Sequence, residues 1–403
     1  MIPASYLEAL SALCNLPTAP YAEQHVIAWL MDWAGAPRRH KWMTVKRDRA
    51  GNVHLHYRRG KVAAAPLVIE AHMDHPGFVV RSARRDGTIV AEFRGGVRPS
   101  HFAGARAKFW INKPRATGSV VPVLARGEWV AARVVSVTPQ KKQDYMEVRL
   151  KLAKKGVPVP PVGSIGMWDL PDAAVQGGLF AARVCDDIGG VAAAICILDE
   201  LIEQKVPGHV IALLTRAEEV GFAGALAVAK NGWIPKNARV IGLETSKALP
   251  TAPQGAGPVV RVGDKTGLFS PGLTHFITQA AATIADDDAA FKYQRKLMDG
   301  GTCNSTAFTA FGYDAAAMCV ALGNYHNMRI KGQVGWGDGA KAGPGIASET
   351  IHVDDFAGMV RILVQVAKTI GKYQPGFGVV RDRLTKLHQE QQVKRLYATS
   401  DQR

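Results

Sequence analysis

The sequence predicts an α/β fold carrying a small inserted β domain, on three observations. Short apolar runs at 66–71, 211–214 and 239–243 read as buried central strands, and each ends in acidic residues or histidine. Residues 191–204 carry a strong helical pattern with Ala and Ile toward the interior. From about Gly95 to Gln176 the texture changes to short β-like pieces separated by Gly, Pro and Lys. The chain therefore divides into a first α/β part, 1–94, an inserted β lid, 95–176, and a second α/β part, 177–403.

Residues 5–14 and 21–34 read as amphipathic packing helices, with Pro17 and Pro20 breaking the pattern between them. Val45 to Tyr57 reads as two short strands joined by a turn near Gly51-Asn52. The run 66–71 then ends in His72-Met73-Asp74-His75. Residues two apart on an extended segment share a side, so Asp74 can orient the His72 imidazole as the partners of metal-bound histidines do. A lone His after a strand is more often structural; His-x-Asp after an apolar run favours a metal.

The inserted part has strand-like pieces at 107–110, 120–123, 129–137 and 146–152, a turn or rim near Pro158 to Gly163, and no catalytic constellation of its own. Phe180 to Val184 leads into Cys185-Asp186-Asp187-Ile188, where an Asp pair can cap the following helix as well as serve chemistry. The apolar run 211–214 delivers Glu218 and Glu219. Neighbouring residues on an extended backbone point opposite ways, so one carboxylate can bind an ion while the other faces a substrate. An acidic pair suiting a helix dipole is the plainer alternative.

Arg239 to Leu243 ends in Glu244, and Ala315 to Leu322 leads to Tyr325-His326-Asn327. Residues 299–306 form a glycine-containing turn into a small-residue helix, and a helix over 353–370 closes the domain. The tail beyond Gln374 is basic and polar, and no internal repeat is found.

The totals narrow the class. A hydrophobic content of 47% suits a globular protein, and five cysteines without paired spacing fit a reducing compartment better than a disulfide framework. No run is long enough for a membrane span and the N-terminus has no signal-peptide pattern, so a cytoplasmic location is expected. A net charge of +16 invites nucleic acid, but the basic groups are short and scattered, without a zinc finger, a helix-turn-helix or an aromatic-studded strand. Solvated faces, a bias toward anionic substrates or an anionic partner account for them better.

His72, Asp186, Glu219, Glu244 and His326, with Asp74 and Glu218 beside two of them, form one set at strand or loop ends. Two imidazoles and several carboxylates suit a pair of zinc-like divalent ions with one Asp between them. The order and local sequences resemble the tetrahedral, glutamyl-aminopeptidase-type family of dinuclear metallo-aminopeptidases: AHMDHPGF, CDDIGG, RAEEVGFAGA, LETS and NYHNM stand for its successive site segments. The interval from Asp74 to Asp186 has room for a β lid, which related families lack, and that from Glu244 to His326 has little room for the dimerisation domain of the carboxypeptidase-type family.

The resemblance implies a mixed sheet sandwiched by helices with a β-barrel-like lid. It implies His72 and Glu244 on one ion, Glu219 and His326 on the other, Asp186 bridging, Glu218 as general base and Asp74 orienting His72. It further implies zinc, with cobalt or manganese as alternatives, a peptide substrate cut at its N-terminus, and a homo-oligomer, often a dodecameric shell.

Three positions depart from the family: Glu244 for Asp, Ile188 for an Arg, and Cys303-Asn304 for an Asp, the last two expected on the substrate side. The departures keep a divergent amidohydrolase or carboxypeptidase-like enzyme open, and the charge keeps open a non-catalytic binding protein using its basic surface.

Overall fold

The structure is a computed structural model that describes residues 2–61, 65–113, 127–140, 143–329, 344–376 and 378–387. Among these residues a nine-stranded mixed sheet runs in the order Met43–Arg47, Val53–Arg59, Gly208–Thr215, Leu67–His72, Arg239–Gly242, Asp314–Leu322, Val259–Asp264, Gln294–Met298, with Thr245–Lys247 pairing onto Asp314–Leu322. Its centre is parallel: the strands ending at Thr215, His72, Gly242 and Leu322 all point the same way. Such strands bury both faces, which is why they are mostly apolar rather than alternating.

The alternation of side chains divides the core in two. Ile69 packs toward the helices Ile188–Glu203 and Val353–Thr369, while Val68, Ile211 and Leu213 pack toward Ala223–Asn231 and Asn304–Ala310. Helices thus cover both faces, as expected for the sandwich. The helix Ile188–Glu203 starts where Asp187 accepts the Gly190 N–H at 3.0 Å. A Cβ at Gly190 would collide with the Asp187 carboxylate, so only glycine allows this cap.

The inserted unit is a closed barrel of Gly77–Ala83, Thr88–Arg94, Tyr145–Leu152, Gly127–Pro139, Arg106–Asn112 and Ile165–Trp168. Its centre is aromatic, with Phe78 stacked edge-on to Phe93 at 4.8 Å and to Trp168 at 4.9 Å. The boundaries expected at residues 95 and 176 are corrected. Phe78 and Val80, then Ile89, Ala91 and Phe93, alternate into the barrel core, so the chain enters the lid at Gly77, directly after the His72 segment. At the far end, Ala174–Gln176 pairs with Leu179–Ala182, itself paired with Glu349–His352, so these residues lie outside the barrel. The strand expected at 120–123 lies outside the described residues.

The five cysteines are free and buried. Among the described residues no helix is long and apolar enough to cross a membrane.

Candidate metal centre

The four parallel strands end on one edge of the sheet, where open α/β folds place their ligands. His72 is the last residue of its strand; Glu218 and Glu219 follow Thr215, Glu244 follows Gly242, and His326 follows Leu322. Asp186 arrives from the turn after Leu179–Ala182, joined to Asp187 by a cis peptide bond.

The side chains converge. His72 Nε2 lies 3.6 Å from Asp186 Oδ1, 3.6 Å from Glu244 Oε1 and 3.8 Å from Glu218 Oε2. His326 Nε2 lies 3.5 Å from Asp186 Oδ2 and 3.1 Å from Glu219 Oε1. The two oxygens of Asp186 therefore face different histidines. Of the Asp186-Asp187 pair, the second residue caps the helix and the first turns to the imidazoles.

The opposite ring nitrogens are committed. His72 Nδ1 faces the Asp74 carbonyl at 3.1 Å and His326 Nδ1 faces the Gly96 carbonyl at 2.8 Å. A carbonyl only accepts, so each Nδ1 donates, and in a neutral ring the Nε2 lone pair then points at carboxylate oxygens. That arrangement is repulsive unless a positive charge, a metal ion or the ring's own second proton, stands between them. Tetrahedral coordination by N and O at about 2.0–2.1 Å puts ligand atoms about 3.3 Å apart, which is the spacing found here. Asp186 Oδ1 and Glu219 Oε1 are buried and accept no hydrogen bond from the protein. His72, Asp186 and Glu219, and likewise His72, Glu218 and Glu244, each offer ligand atoms within 4.8 Å of one another. The residues present fit a pair of divalent ions.

Asp74 does more than border His72. Its carboxylate accepts the Glu218 N–H at 2.9 Å and the Glu219 N–H at 3.1 Å, while its Oδ1 is 3.5 Å from His72 Nδ1. One carboxylate thus fixes the backbone of the glutamate pair and borders the histidine.

The charges are strongly coupled. Burial works to lower the His72 imidazole, but Glu218, Asp186, Asp74 and Glu244 outweigh it and hold it well above its ordinary value. Burial alone would raise Asp186, and the neighbouring His326 and His72 imidazoles instead hold it below the carboxylate range. Burial pushes Glu218 well above that range; His72 opposes the rise, and Glu244, Glu219 and Asp74 add to it.

The profile of the M42 glutamyl aminopeptidase family matches residues 51–329, which include every residue of this cluster. The chain belongs to that family. A glutamyl aminopeptidase of Lactococcus lactis subsp. cremoris is 26% identical over 266 residues, covering 62% of this chain and 71% of its own. A lysyl aminopeptidase of Pyrococcus furiosus is 25% identical over 252 residues, covering 59% and 67%. The TET1 peptidase of Pyrococcus horikoshii, described as assembling into a tetrahedron or a large octahedral shell, shares the fold at a TM-score of 0.64 and 18% identity, over 90% of this chain and 99% of its own. Membership makes the chain a hydrolase, a metal-dependent aminopeptidase.

In this M42 chain the pocket beside the cluster is lined by Thr245, Ser246, Lys247, Arg261 and Met298, by Gly300 to Thr302, and by Tyr325, whose ring stacks on His326 at 3.7 Å. Two departures expected on the substrate side are elsewhere. Ile188 is fully buried in the main core, and Cys303 and Asn304 are buried beneath the turn, where Asn304 Nδ2 donates to Glu70 Oε1 at 2.7 Å. The pocket is met by the backbone of the preceding glycines instead.

Sequence reasoning missed Arg261, Glu70, Glu349 and the roles of His75 and Asn327. A lone Arg in the apolar strand Val259–Asp264 was the available signal for the first. Glu349 accepts the N–H groups of Cys185 and Asp186 at 2.7 and 3.0 Å, a contact between distant segments that no local pattern announces.

Glu70 gives a test of the buried network. Burial raises its carboxyl to about 7, against hydrogen bonds from Thr215 and Asn304 and the nearby His72. A folded-state value above the unfolded one means stability present below the unfolded value and lost as pH rises through about 7. The loss is on the order of 3 kcal/mol at most. Glu70→Gln is expected to flatten that part of the stability profile between pH 5 and 8, in urea unfolding of the metal-free chain; an unaltered slope would contradict it.

Proposed function

We propose that this chain removes N-terminal residues from peptides with a dinuclear centre, and that it favours an acidic residue there. The observation that carries the reading is Asp186 placed between two histidines whose other nitrogens are already committed. His72 and Glu244 would hold one ion, His326 and Glu219 the other, and Asp186 would touch both. A mixed imidazole and carboxylate set suits zinc, with cobalt or manganese as working substitutes. Bound ions supply Lewis acidity at the scissile carbonyl and at the attacking water.

The chain's own groups do the proton work. Glu218 takes a proton from the water as it attacks and returns it to the departing amine, a role suited to a carboxylate whose environment lifts its proton affinity. Asp74, through the Glu218 and Glu219 amides, holds that carboxylate at the right height. Tyr325 walls one side of the pocket.

The acidic preference rests on Arg261 and Lys247. Arg261 is buried, its Nη1 donates to Ser246 Oγ at 3.0 Å, and its Nε has no partner. Arg261 and Lys247 both line the pocket, so a substrate carboxylate entering it would meet two positive charges. In a panel of aminoacyl anilides, Glu and Asp substrates are expected to be cut fastest, in a chelator-sensitive manner. Arg261→Leu is expected to lower kcat/KM for them by about 100-fold, the scale of a buried charge pair losing one member, and to spare neutral substrates. Equal rates across the panel would remove the preference, and no cleavage with zinc, cobalt or manganese would remove the enzyme reading. Because the TET1 relative is described as assembling into a tetrahedron or a large octahedral shell, and another TET1 structure as a dodecamer, the active preparation is expected to run as a homo-oligomer, dodecameric on the second precedent; a mass of one 43.3 kDa chain would count against it.

A further inference from the structure

His75 follows the His72-x-Asp74 segment and is fully buried. Its Nδ1 lies 2.6 Å from the Asp186 carbonyl and its Nε2 lies 3.0 Å from Asn327 Oδ1. The amide of Asn327 cannot be turned round, because its Nδ2 donates to the Arg183 carbonyl at 2.9 Å and to the Ala347 carbonyl at 3.1 Å. Both ring nitrogens of His75 therefore face oxygens. One end of the ring reaches the backbone of Asp186; the other reaches the residue next to His326. No other residue type places a polar nitrogen at each end of a short rigid ring.

We propose that His75 is a positioning residue that sets the separation of Asp186 and His326, acting through Asn327. The inference rests on the dinuclear reading given above. His326 is held from its other side by the Gly96 carbonyl, at the end of the first hairpin of the barrel, and Asp186 by Glu349. His75 supplies the contact to the Asp186 backbone itself, beside the bonds of Asn327 to Arg183 and Ala347. It does so from the segment that leads straight into the barrel at Gly77. The tie also fits the local backbone: Asn324, His326 and Asn327 all have positive φ, near 53–60°, a conformation that needs side-chain support outside glycine.

The test uses the full chain, stripped of metal and titrated with cobalt or zinc against a chelating dye. His75→Gln breaks the rigid link between the two partners; Asn327→Gly removes the Oδ1 acceptor, together with the Nδ2 bonds to Arg183 and Ala347, while glycine accommodates the φ of 60°. Each is expected to weaken the second ion bound by about 10- to 100-fold, the cost typical of losing a partner behind a metal ligand. Each is also expected to change the cobalt visible spectrum. The double variant is expected to be no worse than Asn327→Gly within about twofold, since that variant already removes the His75 contact along with its own bonds.

Wild-type affinity in Asn327→Gly, or independent additive losses in the pair, would overturn the proposal. So would His75→Gln melting like the wild type while keeping both affinities. If the wild-type chain itself binds no ion, the dinuclear reading fails first, and that outcome is distinct from a failure of the tie.

Discussion

Glu218→Gln is expected to lower kcat by about 10²- to 10⁴-fold while two ions remain bound, the range that a positioned acid–base group contributes. The substitution is nearly isosteric and leaves the main chain alone, where the Glu218 N–H is held by Asp74. On the proposed assignment it removes the group that accepts a proton and spares His72, Glu244, Glu219 and His326, the residues that would hold the ions with Asp186. KM is expected to change little, because the lost interaction belongs to the reacting water and amine. Steady-state kinetics on a Glu anilide, with metal content measured on the same sample, decides it. Wild-type turnover would end the general-base assignment, and loss of an ion would convert Glu218 into a ligand.

Asp186→Asn is expected to do the reverse. Its two oxygens serve both halves of the cluster, so replacing one by an amide weakens both sites together, by more than the 10- to 100-fold seen for outer partners. Activity is expected to be lost at ordinary metal concentrations and partly regained at high ones. Wild-type protein should melt higher when loaded, since binding to the folded state adds RT ln(1 + [L]/Kd), and the increment should shrink in the variant. Two tightly bound ions in Asp186→Asn would refute the shared-ligand assignment.

The sheet was legible because its central strands are buried on both faces and so appear as mostly apolar runs: 66–71, 211–214, 239–243 and 315–322 fall on observed strands. The barrel was legible as a change of texture but not at its entrance. Its first strands alternate, as half-buried strands do, and follow the His72 segment without a linker. The strand Val259–Asp264 and the helix Pro271–Asp287 were not read, since Arg261 interrupts one and a weakly polarised small-residue pattern fills the other.

At the site, residues that end strands could be found from sequence, because the edge of a parallel sheet collects them. Arg261, Glu349 and the His75–Asn327 pair could not. Their meaning lies in contacts between segments far apart in the chain, such as Glu349 with Asp186 and His75 with Asn327.

The barrel enters at Gly77 and the neighbouring central strand begins only at Gly208, so the pair Leu67–His72 and Gly208–Thr215 cannot form until everything between them has been accommodated. Closing so long an interval is costly mainly in time, because the entropy of the loop must be spent before the pairing rewards it. The barrel closes over a shorter interval, with Phe78 opposite Gly166. Assembly of the ligand edge is then a late folding event. A chain that has built its lid but not its central sheet would hold His72 without Glu219, and divalent ions would select the finished molecule.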